Sequence, residues 1–272
     1  MRDRLTIIKV GGNVVEEEAS LKSLLKDFSR VAGNKILVHG GGKTATILSE
    51  KLGLESKKVD GRRITDAETL KVVTMVYAGL VNKNIVAGLQ ALGNNAIGLT
   101  GADLDLIRAA KRPVTEIDYG YVGDIKTVNY QALDELLKNG AIPVVAPITH
   151  DGKGQLLNTN ADTIASELAA AMCFDYDVQL IFCFEKSGVL MKESDENSKI
   201  NEISPELFEQ LKADGIVSGG MIPKLSDGFA ALRCGVGVVV ITNPAGISEG
   251  LRSESTRLNS SHSAKSRMPS SA

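Results

Sequence analysis

Lys9 interrupts the apolar run "LTIIKV" directly before the glycine pair Gly11 and Gly12. A lysine in a buried strand is unfavourable unless its ammonium group is paired or reaches a cleft. One interpretation is an edge strand whose lysine meets water. The other is a cation held among glycine amide groups, which is an arrangement that phosphoryl transfer requires.

A second lysine, Lys224, lies in the first turn of a helical pattern after "SGG" (218–220). The helix macrodipole disfavours a cation there, so this side chain should have an anionic partner unless it is solvated. A phosphate fits, and so does a carboxylate such as Asp162 in "NTNAD" (158–162). Asp162 could equally serve only its own helix N-terminus, where acids are favoured. As a functional carboxylate, it would organise the two lysines by charge pairing.

Three consecutive glycines, Gly40 to Gly42, follow the apolar run "KILVH" and precede a helical pattern. The sequence that follows looks like the end of a P-loop, but G-x-x-x-x-G-K-[ST] requires a glycine where this chain has Leu37. A tight turn would need only one glycine. Three in a row favour close approach of the backbone to a ligand, with amide groups aimed at an anion.

These residues must be positioned by an α/β fold, because short apolar runs alternate with helical patterns along most of the chain. The apolar strands predict a mostly parallel central sheet with helices on both faces, a three-layer α/β/α sandwich. Ligands bind beyond the carboxyl ends of such strands, where the glycine clusters fall. The predicted strands are 5–10, 35–40, 95–100, 141–147, 177–184 and 236–242, and the predicted helices are 16–33, 44–53, 65–93, 130–140, 160–172, 204–215 and 223–235.

Two segments interrupt the alternation and look like hairpins at the rim of the sheet, covering a site. They are 55–65, with a turn at Asp60-Gly61, and 114–128, with a turn at Tyr119-Gly120. Arg63 follows the first turn. Its guanidinium could bind a substrate carboxylate, or it could lie in water.

The composition indicates a soluble globular protein. The 272 residues carry a net charge of -2, which does not suggest a nucleic-acid or membrane surface. The start of the chain is no signal peptide, and we expect no apolar stretch long enough to span a membrane. Three cysteines without metal spacing favour reduced thiols and a cytoplasmic location, and no metal site is expected.

A set of short motifs, in a fixed order, resembles the amino acid kinase family. The motifs extend from residue 5 to about residue 250, and their ordered combination is far more specific than any one of them. They are "IIKVGGN" (7–13), "LVHGGGK" (37–43), "DGRRITDAETL" (60–70), "LVNKNIV" (80–86), "GLTGAD" (98–103), "GYVGDI" (120–125), "IPVVAPI" (142–148), "LLNTNADTIASELA" (156–169), "SGVL" (187–190) and "SGGMIPKL" (218–225).

The resemblance implies a role for each matching site residue. Lys9 and Lys224 contact the transferring phosphoryl group and the nucleotide, Asp162 orients both lysines, and Gly11 and Gly12 lie beside the phosphate. The residues implied to bind the amino-acid substrate are Gly41, Gly42, Arg63 and Asn158. The residues implied to form the ATP site are Glu185, Lys186, Ser187, Gly188, Val189, Leu190, Ile216, Val217 and Ser218. Many members of the family have an aspartate before "SGVL", where this chain has Glu185-Lys186.

The resemblance also implies the reaction. ATP, as its Mg²⁺ complex, would phosphorylate the γ-carboxylate of an N-acyl-L-glutamate in arginine biosynthesis. The default acyl group is acetyl; succinyl, or the substrate of a related amino acid kinase, is the alternative. A carboxylate acceptor is already ionised at pH 7, so no general base is needed. The implied protein is a homodimer without a tightly bound cofactor, and arginine inhibition is expected to be absent because only about four residues precede the first strand.

The resemblance also implies the domain boundaries. Residues 1–251 are expected to form the kinase domain, with the amino acid bound by the half that ends near residue 150 and ATP by the other half. Residues 252–272 are Ser-rich, basic and without periodicity, so we expect a disordered tail of non-native sequence. The short final strand found in relatives would then be missing or replaced.

Overall fold

The structure is a computed structural model that describes residues 2–59, 62–192, 194–195, 198–249 and 255–259. Its strands are β1 (Asp3–Val10), β2 (Asn34–His39), β3 (Lys58–Val59), β4 (Arg62–Arg63), β5 (Ala96–Leu99), β6 (Ile107–Lys111), β7 (Gly123–Val128), β8 (Ile142–Val145), β9 (Ile148–His150), β10 (Leu156–Asn158), β11 (Tyr176–Cys183), β12 (Val189–Leu190), β13 (Lys199–Ile200), β14 (Glu202–Ile203), β15 (Val238–Thr242) and β16 (Thr256–Leu258).

The helices alternate with these strands, as predicted. They are α1 (Gly12–Glu16), α2 (Glu18–Ser29), α3 (Gly42–Lys51), α4 (Ala67–Thr74), a π-helical segment (Met75–Val81), α5 (Asn82–Ala91), α6 (Tyr130–Lys138), α7 (Ala161–Met172), α8 (Pro205–Ala213), α9 (Met221–Arg233) and α10 (Gly246–Glu249).

An eight-stranded sheet forms the centre of the molecule, in the order β14-β16-β15-β11-β1-β2-β8-β5. The run from β15 to β5 is parallel throughout. Alternate residues of β1 enter two separate cores: Ile7 packs in the cluster that contains α7, and Ile8 in the cluster that contains α2 and α5. The predicted three-layer α/β/α sandwich is therefore confirmed.

Side chains cap several of the helix starts. The hydroxyl of Ser204 accepts a hydrogen bond from Leu207 N at 3.2 Å, and Pro205 begins α8. The helix predicted over 65–93 begins slightly later, at Ala67, with Asp66 as its N-cap. Asp66 Oδ1 accepts from Thr69 N at 2.8 Å, since a carboxylate at this position can reach the free amide groups of the first turn.

The first predicted hairpin is confirmed, because β3 and β4 pair antiparallel and Lys58 lies opposite Arg63. Its turn residues, 60–61, lie outside the described residues. The second prediction, a hairpin over 114–128, is wrong. Strand β7 pairs with β6, a strand that the sequence did not suggest, and Gly120 instead bridges to Thr65. The two central alanines of "IRAAK" give β6 a weak strand signal.

The expected disorder of the tail is wrong for residues 255–259. Strand β16 pairs antiparallel with β15 and parallel with β14, and Thr256 and Leu258 are buried. The final strand is thus replaced by this segment, and the folded unit extends beyond residue 251. The edge of β15 has backbone groups that an extended segment can satisfy whatever its composition. The rest of the tail lies outside the described residues.

The helical run Ala67–Ala91 contradicts the expectation that no apolar stretch is long enough to span a membrane, when judged by length and composition alone. In the structure this run packs against the sheet. Val73, Ile85 and Leu89 are completely buried there. The same apolar composition is typical of the core helix of a globular domain.

Candidate active site

Two lysines and one aspartate from distant parts of the chain meet at the carboxyl ends of the central strands. Lys9 Nζ lies 2.6 Å from Asp162 Oδ1, and Lys224 Nζ donates to Asp162 Oδ2 at 3.1 Å. The single carboxylate therefore bridges both ammonium groups. The structure brings together the charged residues that the sequence analysis singled out.

Lys9 lies on a central strand, since β1 is between β11 and β2. The alternative interpretation as an edge-strand lysine is therefore wrong. Its side chain is 7% exposed, and it lines two cavities. The lysine thus reaches a cleft and is also paired, which are the two conditions that make a buried ammonium tolerable.

Asp162 is held by the start of α7. Asn160 caps this helix, and its Oδ1 accepts from the backbone N–H of Asp162 at 2.7 Å. Because Asn160 serves as the cap, the Asp162 carboxylate is free to face the lysines. The interpretation of Asp162 as only a favourable first-turn acid therefore does not account for its contacts.

The electrostatics of the group follow from its burial. Burial alone would raise the pKa of Asp162, but the ammonium groups of Lys9 and Lys224 outweigh it and hold this pKa below its usual range. Burial lowers the pKa of Lys9, and repulsion from Lys224 acts in the same direction, while Asp162 opposes both. The cluster carries more positive than negative charge, so it favours an added anion.

A first cavity, of about 210 Å³, opens beside this cluster. Arg63, predicted as a possible solvated side chain, is instead 6% exposed. Its Nη2 donates to Gly42 O at 2.6 Å and to Thr46 Oγ1 at 2.7 Å. The cavity is lined by Lys9, Gly12, Gly40, Gly41, Gly42, Lys58, Arg62, Arg63, Tyr77, Val122, Pro147, Asn158, Thr159, Asn160, Ala161 and Asp162.

Asn158, the last residue of β10, also lines the first cavity. Its Nδ2 donates to Thr65 Oγ1 at 3.0 Å. Thr65 in turn donates to Arg63 O at 3.0 Å. One hydrogen-bonded chain therefore joins two of the predicted substrate-binding residues and fixes their spacing.

Close approach of neighbouring elements favours glycine at two of the three consecutive positions. A Cβ atom at Gly41 would lie 3.0 Å from a ring carbon of Tyr77, and one at Gly40 would lie 3.1 Å from Gly12 N. A side chain at either position would therefore force its neighbour to shift, and Gly41 also has a φ of 154°, which side chains rarely adopt. This explains why one glycine is not enough at this strand-to-helix turn.

Sequence reasoning missed several residues that line the first cavity, among them Lys58, Arg62 and Tyr77. Lys58 and Arg62 flank the predicted hairpin turn, so their proximity to Arg63 was a usable signal. Tyr77 lies within the π-helical segment, and π-helical turns occur frequently at functional sites. Nothing in the local apolar pattern around Tyr77 separates it from a core residue.

A second cavity, of about 550 Å³, lies in the other half of the molecule. Its lining includes every predicted ATP-site residue except Ser187. Mixed apolar and polar walls of this kind suit a large organic ligand. The lining residues are Phe184, Glu185, Lys186, Gly188, Val189, Leu190, Met191, Asp214, Gly215, Ile216, Val217, Ser218 and Met221.

A third cavity, which we call the junction cavity, connects these two. It shares Lys9 and Gly12 with the first cavity, and Phe184 and Glu185 with the second. Its remaining lining residues are Gly11, Asn13, Val14 and Lys224. Both lysines and the N-terminal glycine pair therefore lie where ligands in the other two cavities would meet.

No group of three or more His, Cys, Asp or Glu side chains among the described residues could hold a metal ion. The one carboxylate at the centre, Asp162, is occupied by two ammonium groups. The arrangement is suited to binding anions and to stabilising negative charge, and the chain's own residues there are ligands for a phosphate rather than for a metal.

Comparison with known proteins agrees with this geometry. A sequence profile of the amino acid kinase family matches residues 4–243. The chain is 62% identical to the acetylglutamate kinase of Phocaeicola vulgatus over 250 residues, which is 92% of this chain and 97% of that protein. It is 59% identical to the acetylglutamate kinase of Bacteroides thetaiotaomicron over 258 residues, which is 95% of this chain and 99% of the relative.

Among solved structures, the protein smu.665 of Streptococcus mutans UA159 superimposes with a TM-score of 0.76 at 28% sequence identity. The superposition covers 88% of this chain and 94% of that protein. The similarity thus extends over almost the whole described fold and includes both halves that contribute cavities.

Proposed function

The chain belongs to the amino acid kinase family, and we propose that it transfers the γ-phosphoryl group of ATP to the γ-carboxylate of N-acetyl-L-glutamate, a step of arginine biosynthesis. One observation carries this proposal. Asp162 bridges Lys9 and Lys224 where two ligand-sized cavities meet. Two anions in line, with cations between them, are what phosphoryl transfer requires.

The first cavity would hold the acceptor. Arg63 and Asn158 line it and are joined through Thr65, so they are suited to the α-carboxylate and the polar N-acyl end of the substrate. The γ-carboxylate would then extend towards Gly41, Gly42 and Lys9. It is ionised at neutral pH, so the attack needs no general base, and the work of the site is positioning.

The second cavity would hold ATP. Its position fits a nucleotide whose γ-phosphate enters the junction cavity between Gly11, Gly12 and Lys224. Mg²⁺ would arrive as part of the nucleotide substrate and neutralise charge on its phosphates. The chain itself would contribute amide groups and ammonium groups, and the aspartate that holds these ammonium groups in place.

Charge spreads over the oxygens of the transferring phosphoryl group during the reaction. Lys9 approaches from the acceptor side, because it lines the first and junction cavities. Lys224 lines the junction cavity but not the first cavity. It therefore stabilises charge on the nucleotide side. Asp162 pairs with both ammonium groups and aims them before substrate arrives, which lowers the reorganisation needed during transfer.

A second candidate substrate is N-succinyl-L-glutamate. It is favoured by Lys58 and Arg62, which line the first cavity in addition to Arg63. A succinyl group brings one more carboxylate than an acetyl group, and an arginine or lysine can pair with it. The chemistry of transfer would be the same for both substrates.

We further propose that the protein is a cytoplasmic homodimer. Large apolar side chains are exposed on the helical run 67–91 and near it: Met75 is 55% exposed and Leu80 is 52% exposed. Strand β5, at one edge of the central sheet, contacts α5 from the same helical run, and its Ile97 is 37% exposed. Contact between two copies over this face would remove apolar surface from water.

A hydroxylamine assay tests the reaction directly. The protein is incubated with Mg-ATP, hydroxylamine and either N-acetyl-L-glutamate or N-succinyl-L-glutamate, with L-glutamate as the control that lacks an acyl group. An acyl phosphate yields a coloured hydroxamate. Formation from either N-acyl substrate, and its absence with free glutamate, supports the proposal, and the ratio of kcat/KM values chooses between the acyl groups. Folded protein that yields no hydroxamate from either substrate would refute it.

A further inference from the structure

Behind the triple glycine lies a buried histidine that takes no direct part in the proposed transfer. His39 is the last residue of β2 and is completely buried. Asn82, the first residue of α5, is 1% exposed and contacts it. Buried polar side chains are unfavourable unless they are hydrogen bonded. The hydrogen-bond partners of His39 and Asn82 therefore indicate which part of the backbone the pair holds in place.

The contacts of Asn82 determine which nitrogen of His39 carries the proton. Asn82 Nδ2 lies 2.9 Å from Val144 O and 3.1 Å from His39 Nε2. The carbonyl can only accept, so this atom of Asn82 is the amide NH₂ group, and its second hydrogen is donated to Nε2. Lys83 Nζ, 3.2 Å from Asn82 Oδ1, supports the same amide orientation. The proton of the neutral ring is therefore on Nδ1.

Nδ1–H is donated to the carbonyl oxygen of Gly40 at 2.7 Å. Burial lowers the pKa of His39 to about 4, so the ring is neutral at physiological pH and keeps this tautomer. A protonated Nε2 would face the amide hydrogens of Asn82. The pair is thus locked, with one fixed donor directed at the glycine loop.

This donor sets the direction of a peptide group. In a trans peptide the C=O and N–H groups point in opposite directions. Because His39 holds the carbonyl of Gly40, the N–H of Gly41 points away from His39. Glycine has no side chain to restrict its own backbone, so without this hydrogen bond the peptide between Gly40 and Gly41 could turn.

The side away from His39 is where the proposed reaction occurs. A Cβ atom placed on Gly12 would lie 3.4 Å from Gly41 N and 3.3 Å from Gly42 N. The two nitrogens therefore converge on the space over Gly12, which lines both the first and the junction cavity. Within the described part of the chain, neither N–H donates to a backbone carbonyl. Both are available to an anion.

We propose that His39, locked as its Nδ1–H tautomer by Asn82, is a positioning residue that aims the Gly41 N–H group, next to that of Gly42, at the phosphoryl group during transfer. The inference rests on the proposed function. It gives a positioning role to Asn82, in the motif "LVNKNIV", and to His39, directly before the three glycines. Neither side chain touches substrate; both act through the loop backbone.

A matched pair of variants tests it. In H39N the side-chain NH₂ stands near the place of Nδ1 and can still donate to Gly40 O, whereas in H39Q the amide stands near Nε2 and leaves this carbonyl without its donor. Both remove the ring. We expect H39N to keep kcat within about threefold of the unmodified chain, and H39Q to lose about tenfold or more, with KM for ATP unchanged in both. Equal kcat values for the two variants would overturn the inference.

A second measurement does not depend on activity or on the variants folding. The chain has three histidines, so ¹⁵N spectra of histidine-labelled protein can resolve each ring. We expect one ring to remain the neutral Nδ1–H tautomer between about pH 6 and pH 8. A free histidine titrates within this range. If none of the three rings keeps the Nδ1–H tautomer over this range, because each one titrates or is Nε2–H, the inference is overturned. Failure of the unmodified chain to form any hydroxamate would instead overturn the proposed function.

Discussion

The Nζ atom of Lys9 lies 2.6 Å from Oδ1 of Asp162, and both side chains are more than nine-tenths buried. The same carboxylate binds Lys224 through its other oxygen. A buried charge without a partner is strongly unfavourable, so each member of this group depends on the others. Removal of any one of these three side chains should therefore disturb the other two.

Replacing Asp162 with Asn removes the charge that holds the two lysines and leaves two ammonium groups facing each other. We expect kcat to fall by about 100-fold or more, because preorganised electrostatics is the main contribution to such a site. The measurement is kcat in the hydroxamate assay together with thermal unfolding. Glu167→Gln, on the exposed side of the same helix, is the control, and a similar loss of kcat in this control would contradict the prediction.

Replacing Lys224 with Ala removes a cation that lines the junction cavity but not the first cavity. We therefore expect kcat to fall by about 100-fold while KM for the acyl amino acid changes by less than about threefold, the pattern of an interaction made mainly in the transition state. Steady-state kinetics with each substrate varied in turn measures both. A raised KM with unchanged kcat would remove Lys224 from this role.

Asp227 lies one turn beyond Lys224 on α9 and accepts a hydrogen bond from Thr163 Oγ1 at 3.0 Å. Burial raises the pKa of Asp227 to about 6. Because this value lies above that of the unfolded chain, the contribution of the protonated acid to stability is full below about pH 4 and is lost as the pH rises through 6.

Asp227→Asn should therefore stabilise the protein at pH 8, by about 1–2 kcal/mol, since Asn keeps an acceptor for Thr163 without the buried charge. The gain should vanish at pH 4, where the native aspartic acid is already neutral. Urea unfolding at both pH values measures it. An equal effect at the two pH values would show that the charge of Asp227 is not the cause.

His39 gives the opposite pH dependence. Its folded pKa of about 4 lies below the unfolded value of 6.5, so the unfolded chain binds more protons between them. The stability from the neutral ring is full above pH 6.5 and is lost as the pH falls towards 4, by about 3 kcal/mol if the whole shift is realised. His39→Asn, which cannot titrate there, should lose less stability over this range, as urea unfolding can show. Parallel curves would contradict the prediction.

Strand β16 adds a test of the fold. Leu258 is 5% exposed, and Leu258→Ala should lower the free energy of unfolding by about 2–4 kcal/mol because it leaves a cavity in the core. Arg257→Ala, on the exposed face of the same strand, should change it by less than about 1 kcal/mol. Chemical denaturation of both variants provides the comparison. Equal effects would mean that β16 does not pack as described.

Local patterns accounted for most of the sheet and its helices. The apolar run 5–10 became Asp3–Val10, and "NADTIASELAAAM" became α7. Such elements bury a face, so their periodicity is visible in the chain. Short strands such as β6, β9 and β10 were missed, because three to five residues carry too little periodicity to be distinguished from a loop. The pairing of β16 was missed because its composition resembles that of the surrounding Ser-rich segment.

The sequence by itself determined the classes of residue at the strand ends, the order of the motifs and therefore the family. It also determined that the triple glycine could not be a P-loop, since Leu37 occupies the required glycine position. These properties depend on residue type and spacing along the chain, which folding does not change.

Only the tertiary structure decided that Lys9, Asp162 and Lys224 form one group. It also decided that Arg63 is buried and that His39 holds the loop from behind. The physical reason is that charge pairing and burial depend on which strands become neighbours. The parallel order brings strand ends that are far apart in sequence to one edge, and there the exclusion of water makes their contacts strong.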